Sequence, residues 1–315
     1  MPVFDSVADL IGNTPIVDVS RLSPNPRVRI LAKLEGQNPG GSVKDRAARW
    51  MIDEAEKDGS LAPGQVILES SSGNTGIAMA MLAKVKGHPF KVVLPENVSE
   101  ERKQLLEVWG AEIILSPAGE GSNGAMRRAQ ALAEEHPDWF YSFQYGNPAN
   151  AKAHRESTGP EIWRDVPEIT HFVAGLGTAG TIIGVGSFLK ERNPDIEVWA
   201  VEPPVGEMVD GLKNFDEGFV PPIFTDGGGE ELLSRKTIVR PRESIEWVRR
   251  LTEVGIFAGI SAGAAMAGAA KCAASIDEGT VVFIVPDAGW KYLSTGAWTD
   301  DIDVVEERAK KTIYF

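Results

Sequence analysis

The chain has 315 residues, enough to bury a large core and to form two associated α/β domains. Its 45 acidic and 32 basic residues give a formal net charge of −13, which disfavours binding to nucleic acid or to anionic membrane surfaces. No signal-peptide pattern opens the chain, and no apolar run approaches the roughly 18 residues of a membrane span. We therefore expect a cytoplasmic enzyme or binding protein that acts on small molecules.

A glycine-rich turn over residues 38–46 carries Lys44 into a predicted helix, because apolar residues recur at helical spacing from Ala47 to Ala55. Gly40 and Gly41 let the backbone approach a ligand closely. A lysine in the first turn of a helix faces unpaired N–H groups and the positive end of the dipole, which lower its pKa. Such a lysine suits Schiff-base chemistry, whereas the alternative is a solvated lysine at a loop-to-helix junction.

Short β-branched runs alternate with helical patterns along the chain. This alternation predicts a mainly parallel sheet with helices on both faces. Ligands bind beyond the carboxyl ends of such strands, so the turns after Glu69 and Gly175 are candidate binding loops. Residues 147–150 interrupt the alternation and mark a candidate crossover between two halves. The predicted strands are residues 66–70, 90–94, 111–115, 140–144, 171–174, 197–201 and 281–285.

Residues 70–76, a run of serines followed by Gly73, Asn74 and Thr75, come after a predicted strand and open a helix. Their hydroxyl and backbone N–H groups converge at the helix N-terminus, which predicts an anion site, most naturally for a substrate carboxylate. The simpler alternative is an N-cap, although a cap needs only one of these side chains.

Gly175, Gly177 and Gly180 match the G-x-G-x-x-G pattern, and Glu202 lies about twenty residues further on, as in a dinucleotide site. The same loop, taken as residues 177–181, equally forms a cradle for one phosphate monoester. Lys44 and the serine-rich loop favour the second interpretation, since a pyridoxal phosphate enzyme needs a Schiff-base lysine, a phosphate cradle and a carboxylate site.

Ser261 lies between an apolar run and an alanine-rich helix, and it is a candidate partner for the pyridine nitrogen of such a cofactor. A neutral hydroxyl would leave that nitrogen largely unprotonated, which favours elimination at Cβ over transamination or decarboxylation. The alternative is that Ser261 is an N-cap of the helix.

Taken together, residues 38–46, 70–76, 144–150, 158–161, 177–181 and 259–263 resemble the cysteine synthases, pyridoxal 5′-phosphate enzymes of the tryptophan-synthase-β fold. The resemblance implies fold type II, with two doubly wound, mainly parallel α/β domains. It implies an N-terminal domain of residues 36–150 with a mobile small subdomain. Residues 1–35 and 151–315 would form a C-terminal domain that holds the cofactor phosphate. Family members are typically homodimers.

The resemblance also implies the reaction, a β-replacement through an aminoacrylate intermediate in which a sulfur nucleophile gives L-cysteine. It assigns site residues by position, with no metal. Lys44 would hold the cofactor and move protons, Asn74 would bind the ring 3′-oxygen, and Ser261 would face the ring nitrogen. The substrate carboxylate would be bound by Ser71, Ser72, Thr75 and Gln144, and the phosphate by Gly177, Thr178, Ala179, Gly180 and Thr181.

Residues 212–219 and 287–292 are similar to the cysteine synthase B branch, some members of which accept O-phosphoserine and take sulfur from a thiocarboxylated carrier protein. Lys213 stands where acetylserine enzymes commonly have an uncharged side chain, so we expect it to contact a phosphate leaving group. The substrate is therefore O-phosphoserine or O-acetylserine. The alternatives are a cystathionine β-synthase, a serine dehydratase and, from the glycine pattern alone, an NAD-dependent dehydrogenase.

Overall fold

A computed structural model describes residues 3–71 and 73–309. Within these ranges the strands form two sheets. The larger sheet is parallel apart from its first strand, β1 (Ile16–Asp18), which pairs antiparallel with β2 (Val28–Leu34). In spatial order its strands are β1 (Ile16–Asp18), β2 (Val28–Leu34), β10 (Gly279–Val285), β7 (His171–Gly175), β8 (Glu197–Glu202) and β9 (Arg235–Ile238).

The smaller sheet is parallel throughout. Its strands in spatial order are β5 (Glu112–Ser116), β4 (Phe90–Pro95), β3 (Ile67–Ser70) and β6 (Phe140–Tyr141). The fold class predicted from the sequence, α/β with two mainly parallel sheets, is confirmed. The domain boundaries near residues 36 and 150 stay a prediction.

Helices cover both sheets. Two of them, α2 (Asn74–Lys86) and α11 (Ile260–Ser275), carry apolar or small residues on nearly every side and are buried over most of their length, as expected for helices packed inside the molecule. The helices are α1 (Lys44–Asp58), α2 (Asn74–Lys86), α3 (Glu100–Val108), α4 (Gly121–Glu135), α5 (Pro148–Ala153), α6 (Gly159–Asp165), α7 (Gly180–Arg192), α8 (Pro222–Asp226), α9 (Gly229–Leu232), α10 (Pro241–Thr252), α11 (Ile260–Ser275) and α12 (Ile302–Ala309).

The seven predicted strands all appear, but the fourth is shorter than expected. The sequence predicted a strand over residues 140–144, whereas β6 ends at Tyr141. Phe143 has a left-handed backbone, with φ of 44°, so the chain cannot continue as an extended strand there. The interrupting segment at residues 147–150 is also helical in part, since α5 begins at Pro148 with Asn147 as its N-cap.

Three strand ends position the functional loops. β3 leads through the serine-rich loop into α2, and β7 leads through the glycine loop into α7. β10 runs into Pro286 and Asp287, where Ser42, in the turn before Lys44, forms a bridge with Asp287. Loops from both sheets therefore meet beyond the carboxyl ends of parallel strands, where α/β proteins bind ligands.

Candidate active site

The loops enclose a cavity of about 440 Å³, within the usual size range of small-molecule sites. Most of the site residues predicted from the sequence line this cavity, and they lie on loops of both sheets. Gly180 is not on the cavity wall but is the first residue of α7, and Ser72 lies outside the described residues. The predicted residues on the wall are Lys44, Ser71, Asn74, Thr75, Gln144, Gly177, Thr178, Ala179, Thr181, Lys213 and Ser261.

Lys44 is the first residue of α1, as the sequence predicted. The turn before it depends on Gly41, whose φ of 79° is unfavourable for other residues. The Lys44 amine makes no hydrogen bond to any residue that the structure describes. Burial lowers the pKa of Lys44, and the negative charge of Asp287 partly opposes this. The predicted direction is therefore right, but burial, rather than the helix dipole, is the main cause.

Asn74 is the first residue of α2, and both polar atoms of its amide are engaged. Its Nδ2 donates to Asp287 Oδ2 at 2.8 Å, and its Oδ1 accepts from Lys291 Nζ at 2.7 Å. A lysine ammonium only donates and a carboxylate only accepts, so these two contacts fix the orientation of the amide. One Nδ2 hydrogen remains for a ligand.

The predicted carboxylate site joins the N-terminus of α2 to the segment after β6. Thr75 Oγ1 donates to Gln144 Oε1 at 2.6 Å, and Gln144 Nε2 donates to the carbonyl oxygen of Ser70 at 3.4 Å. Ser71 Oγ accepts from the backbone N–H of Gly73 at 3.3 Å. Thr75 and Gln144 are thus linked to each other at the N-terminal end of α2, where Ser71 also lies.

Glu69, the residue before Ser70, is fully buried next to the predicted carboxylate site. Its carboxylate accepts from the backbone N–H of Ser70 at 2.7 Å, from Ser142 Oγ at 2.7 Å and from the backbone N–H of Gln144 at 3.1 Å. Burial raises the pKa of Glu69 to about 7, although these hydrogen bonds favour its ionised form. Glu69 therefore connects the two segments that supply the carboxylate site.

The predicted phosphate cradle is a tight loop at the N-terminus of α7. A β-carbon at Gly177 would lie only 2.7 Å from the carbonyl oxygen of Gly211, so this position requires glycine. Ala179 has a left-handed backbone with φ of 67°, a conformation that is costly for alanine and is typical of functional loops. Thr181 Oγ1 lies 3.2 Å from Nε2 of the buried His154, within hydrogen-bond distance.

Ser261 and Lys213 line other parts of the cavity wall. Ser261 is the second residue of α11, and its hydroxyl makes no hydrogen bond to a described residue. Lys213 Nζ lies 4.4 Å from the centre of the Tyr145 ring and 5.3 Å from that of Phe219. Burial lowers the pKa of Lys213. The ammonium therefore lies against two aromatic rings rather than in open solvent.

Sequence reasoning missed three polar residues next to the site. Asp287 and Lys291 hold Asn74, and Asn150 donates to Thr178 Oγ1 at 3.0 Å. The sequence did contain a signal for Asp287, because this residue follows an apolar strand and therefore lies at the carboxyl ends of the strands, where the ligand-binding loops are. Lys291 and Asn150 could not be found this way, since their partners are distant in the sequence.

The chain matches known proteins over most of its length. Residues 7–287 match the family described as pyridoxal-phosphate dependent enzymes. The chain is 41% identical to cysteine synthase B of Salmonella typhimurium over 300 residues, which are 95% of this chain and 97% of that protein.

Two solved structures are also similar. The chain is 38% identical to O-ureido-L-serine synthase, with a TM-score of 0.88 and coverage of 94% of this chain and 96% of that one. It is 34% identical to a cysteine synthase of Entamoeba histolytica, with a TM-score of 0.88 and coverage of 97% and 95%. The chain therefore belongs to the cysteine synthase family of pyridoxal-phosphate dependent enzymes, and its cofactor is pyridoxal 5′-phosphate.

Proposed function

We propose that the protein makes L-cysteine by β-replacement, in which a sulfur nucleophile displaces the Cβ substituent of O-phosphoserine or O-acetylserine. The observation that carries this proposal is the convergence of three groups on one cavity. They are the amine of Lys44, which has no hydrogen-bond partner among the described residues, the cradle at the N-terminus of α7, and the linked side chains of Thr75 and Gln144.

The described residues fit pyridoxal phosphate. The close-packed loop at Gly177 and the start of α7 suit a phosphate group. Backbone N–H groups and the positive end of the helix dipole would face an anion bound there. Lys44, whose lowered pKa increases the share of neutral amine, would hold the cofactor covalently. Asn74 would donate its remaining Nδ2 hydrogen to the ring 3′-oxygen, and Ser261 would face the ring nitrogen.

The chain's own residues supply the remaining chemistry. Ser71, Thr75 and Gln144 bind the substrate carboxylate and orient the Cα–H bond. Once the amino group of the substrate has replaced it on the cofactor, Lys44 Nζ would be free to take the proton from Cα and later to return it, as its position on the cavity wall allows. When bound, the cofactor withdraws electrons from Cα, so that the proton and the Cβ substituent can leave. The neutral hydroxyl of Ser261 favours loss of the Cβ substituent over other outcomes.

Between the two substrates we favour O-phosphoserine. A phosphate ester carries close to two negative charges near neutral pH, and moving it from water is costly without a cation. Lys213 supplies a cation on the cavity wall, and the aromatic faces of Tyr145 and Phe219 stabilise its charged form. O-acetylserine carries no such charge and gains little from this lysine.

The proposal includes a cytoplasmic homodimer, with a thiocarboxylated sulfur-carrier protein as a candidate sulfur donor. The first described residues support an interface, because Val3, Phe4, Val7 and Leu10 are apolar and exposed. Across the described ranges, no helix is both long and apolar enough to span a membrane.

Product analysis tests the activity. Purified enzyme is incubated with O-phosphoserine or O-acetylserine and sulfide, and then with homocysteine in place of sulfide. We expect cysteine as the main product. Predominant pyruvate would indicate a serine dehydratase, and a clear preference for homocysteine would indicate a cystathionine β-synthase. The similarity to O-ureido-L-serine synthase makes this comparison necessary, since one fold accommodates different products.

A further inference from the structure

Lys291 is a buried cation that contacts two loops of the active site. It lies in the short helical turn after β10, and only 2% of the residue is exposed. Its Nζ donates to the carbonyl oxygens of Gly40 at 2.9 Å and Gly41 at 3.2 Å, and to Asn74 Oδ1 at 2.7 Å. An ammonium group has three hydrogens, so these three oxygens use its full donor capacity.

One end of this arrangement is the glycine turn that leads into Lys44. The carbonyl oxygens of Gly40 and Gly41 both accept hydrogen bonds from the ammonium of Lys291. The backbone N–H of Gly40 donates to the buried carboxylate of Asp45. The turn that places Lys44 at the start of α1 is therefore held from both sides by side chains.

The other end is the amide of Asn74. Lys291 at Oδ1 and Asp287 at Nδ2 together exclude the flipped orientation of this amide, which would place donor against donor and acceptor against acceptor. A cation at the amide oxygen also polarises the group and strengthens its remaining N–H as a donor.

We propose that Lys291 is a positioning residue that joins the Lys44 turn to Asn74 and orients the amide of Asn74 towards the cofactor ring. This inference rests on the proposed roles of Lys44 and Asn74. Loss of Lys291 removes the donor that fixes the amide and releases the two glycine carbonyls. It should therefore weaken cofactor binding through Asn74 and alter the absorption spectrum of the bound cofactor.

Cofactor affinity provides the main test. The apoprotein is titrated with pyridoxal 5′-phosphate, with fluorescence as the readout, for the wild type, Lys291→Met, Asn74→Ala and the double variant. We expect Lys291→Met to weaken binding roughly tenfold to a hundredfold. In the Asn74→Ala background the loss should be at least about threefold smaller, because the part of the effect that passes through Asn74 is gone and only the release of the glycine carbonyls remains. Equal losses in both backgrounds would overturn the proposal. Lys271→Met, on an exposed face of α11, is the matched control.

A second measurement applies even if Lys291→Met does not fold. Burial lowers the pKa of Lys291 to about 8, and the like charge of Arg102 acts in the same direction. The negative charges of Asp287 and Asp45 oppose this shift. Tyr292 also donates to the carboxylate of Asp287. The neutral amine of Lys291 would have only two hydrogens to donate to the three oxygens that it contacts, so one of these hydrogen bonds would be lost. The holoenzyme spectrum should therefore change with a midpoint near pH 8, and Lys291→Arg, which keeps its charge, should lack this change. The same transition in both proteins would overturn the proposal.

Failure of this inference and failure of the proposed function give different results. If Lys291 variants bind the cofactor as the wild type does while Lys44→Ala loses covalent attachment, only the positioning role is wrong. If Lys44→Ala retains covalent attachment, the proposed function itself is wrong.

Discussion

Asn150 donates to the hydroxyl of Thr178 at 3.0 Å and, from the same Nδ2 atom, to the carbonyl oxygen of Gln144 at 2.9 Å. Both hydrogens of the amide are thus used, one towards the phosphate cradle and one towards the carboxylate site. Because Thr178 Oγ1 accepts this bond, its own hydrogen is available to a ligand in the cavity. Asn150 therefore connects the two halves of the candidate site.

This contact predicts that Asn150→Asp weakens cofactor binding. Aspartate has the same shape but no donor, and it places a buried negative charge beside the cradle, so we expect a loss of at least about tenfold in affinity. Titration of the apoprotein with pyridoxal phosphate measures it. Asn193→Asp makes the same chemical change in a turn after α7 and should leave the affinity unaltered. Equal affinities for Asn150→Asp and the wild type would contradict the assigned role.

Arg46 is the centre of a buried ionic network that supports the segment after Lys44. It donates to Glu35 and to Glu161, while Lys33 also contacts Glu161, and all four side chains are buried or nearly so. Arg46→Met leaves two buried carboxylates with too few cations and should lower the free energy of unfolding by about 3–5 kcal/mol. Urea denaturation measures this change.

The exposed pair formed by Arg155 and Glu191 is the control for Arg46. Its atoms approach to 2.7 Å, but both side chains are about half exposed to solvent. Arg155→Met should change the free energy of unfolding by less than about 1 kcal/mol. Similar losses for the two arginines would show that burial does not determine the contribution of the Arg46 network.

Glu69 predicts a pH-dependent difference in stability. Its pKa in the folded chain is about 7, above the ordinary value of 4.5, so the folded state holds the proton more tightly than the unfolded chain. The stability that this proton contributes is complete below about pH 4.5 and is lost as pH rises through 7. Relative to Glu69→Gln, the wild type should therefore lose about 3 kcal/mol between pH 4.5 and pH 8. Urea titrations across this range test it, and a constant difference would show that hydrogen bonds offset the effect of burial.

Lys213→Ala should distinguish the two substrates. One cation against a phosphate group is worth roughly ten- to a hundredfold in kcat/KM, so turnover of O-phosphoserine should fall by that factor. O-acetylserine should change by less than about threefold. Steady-state kinetics with both substrates measure this selectivity, with Lys236→Ala, on the strand β9, as a control. Equal losses for both substrates, or none for either, would favour O-acetylserine.

Local patterns in the sequence were sufficient for much of the fold and of the candidate site. The alternation of β-branched runs with helical periods predicted a mainly parallel sheet, the family resemblance implied two such α/β domains, and the glycine turn predicted the position of Lys44. The early end of β6 could not be predicted, because Phe143 has a left-handed backbone that is uncommon for a phenylalanine. Lys291 and Asn74 are 217 residues apart, and no local periodicity reports such a contact.

The attachment of the cofactor to Lys44 is the central claim, and peptide mapping tests it most directly. The holoenzyme is reduced with borohydride, digested and analysed by mass spectrometry, which locates the residue that carries the cofactor. Lys213 also lines the cavity, and Lys291 contacts the turn before Lys44, so each is a real alternative. We predict the added mass of the cofactor on the peptide that contains Lys44. Its presence on the peptide of Lys213 or Lys291, or on no lysine at all, would contradict the account.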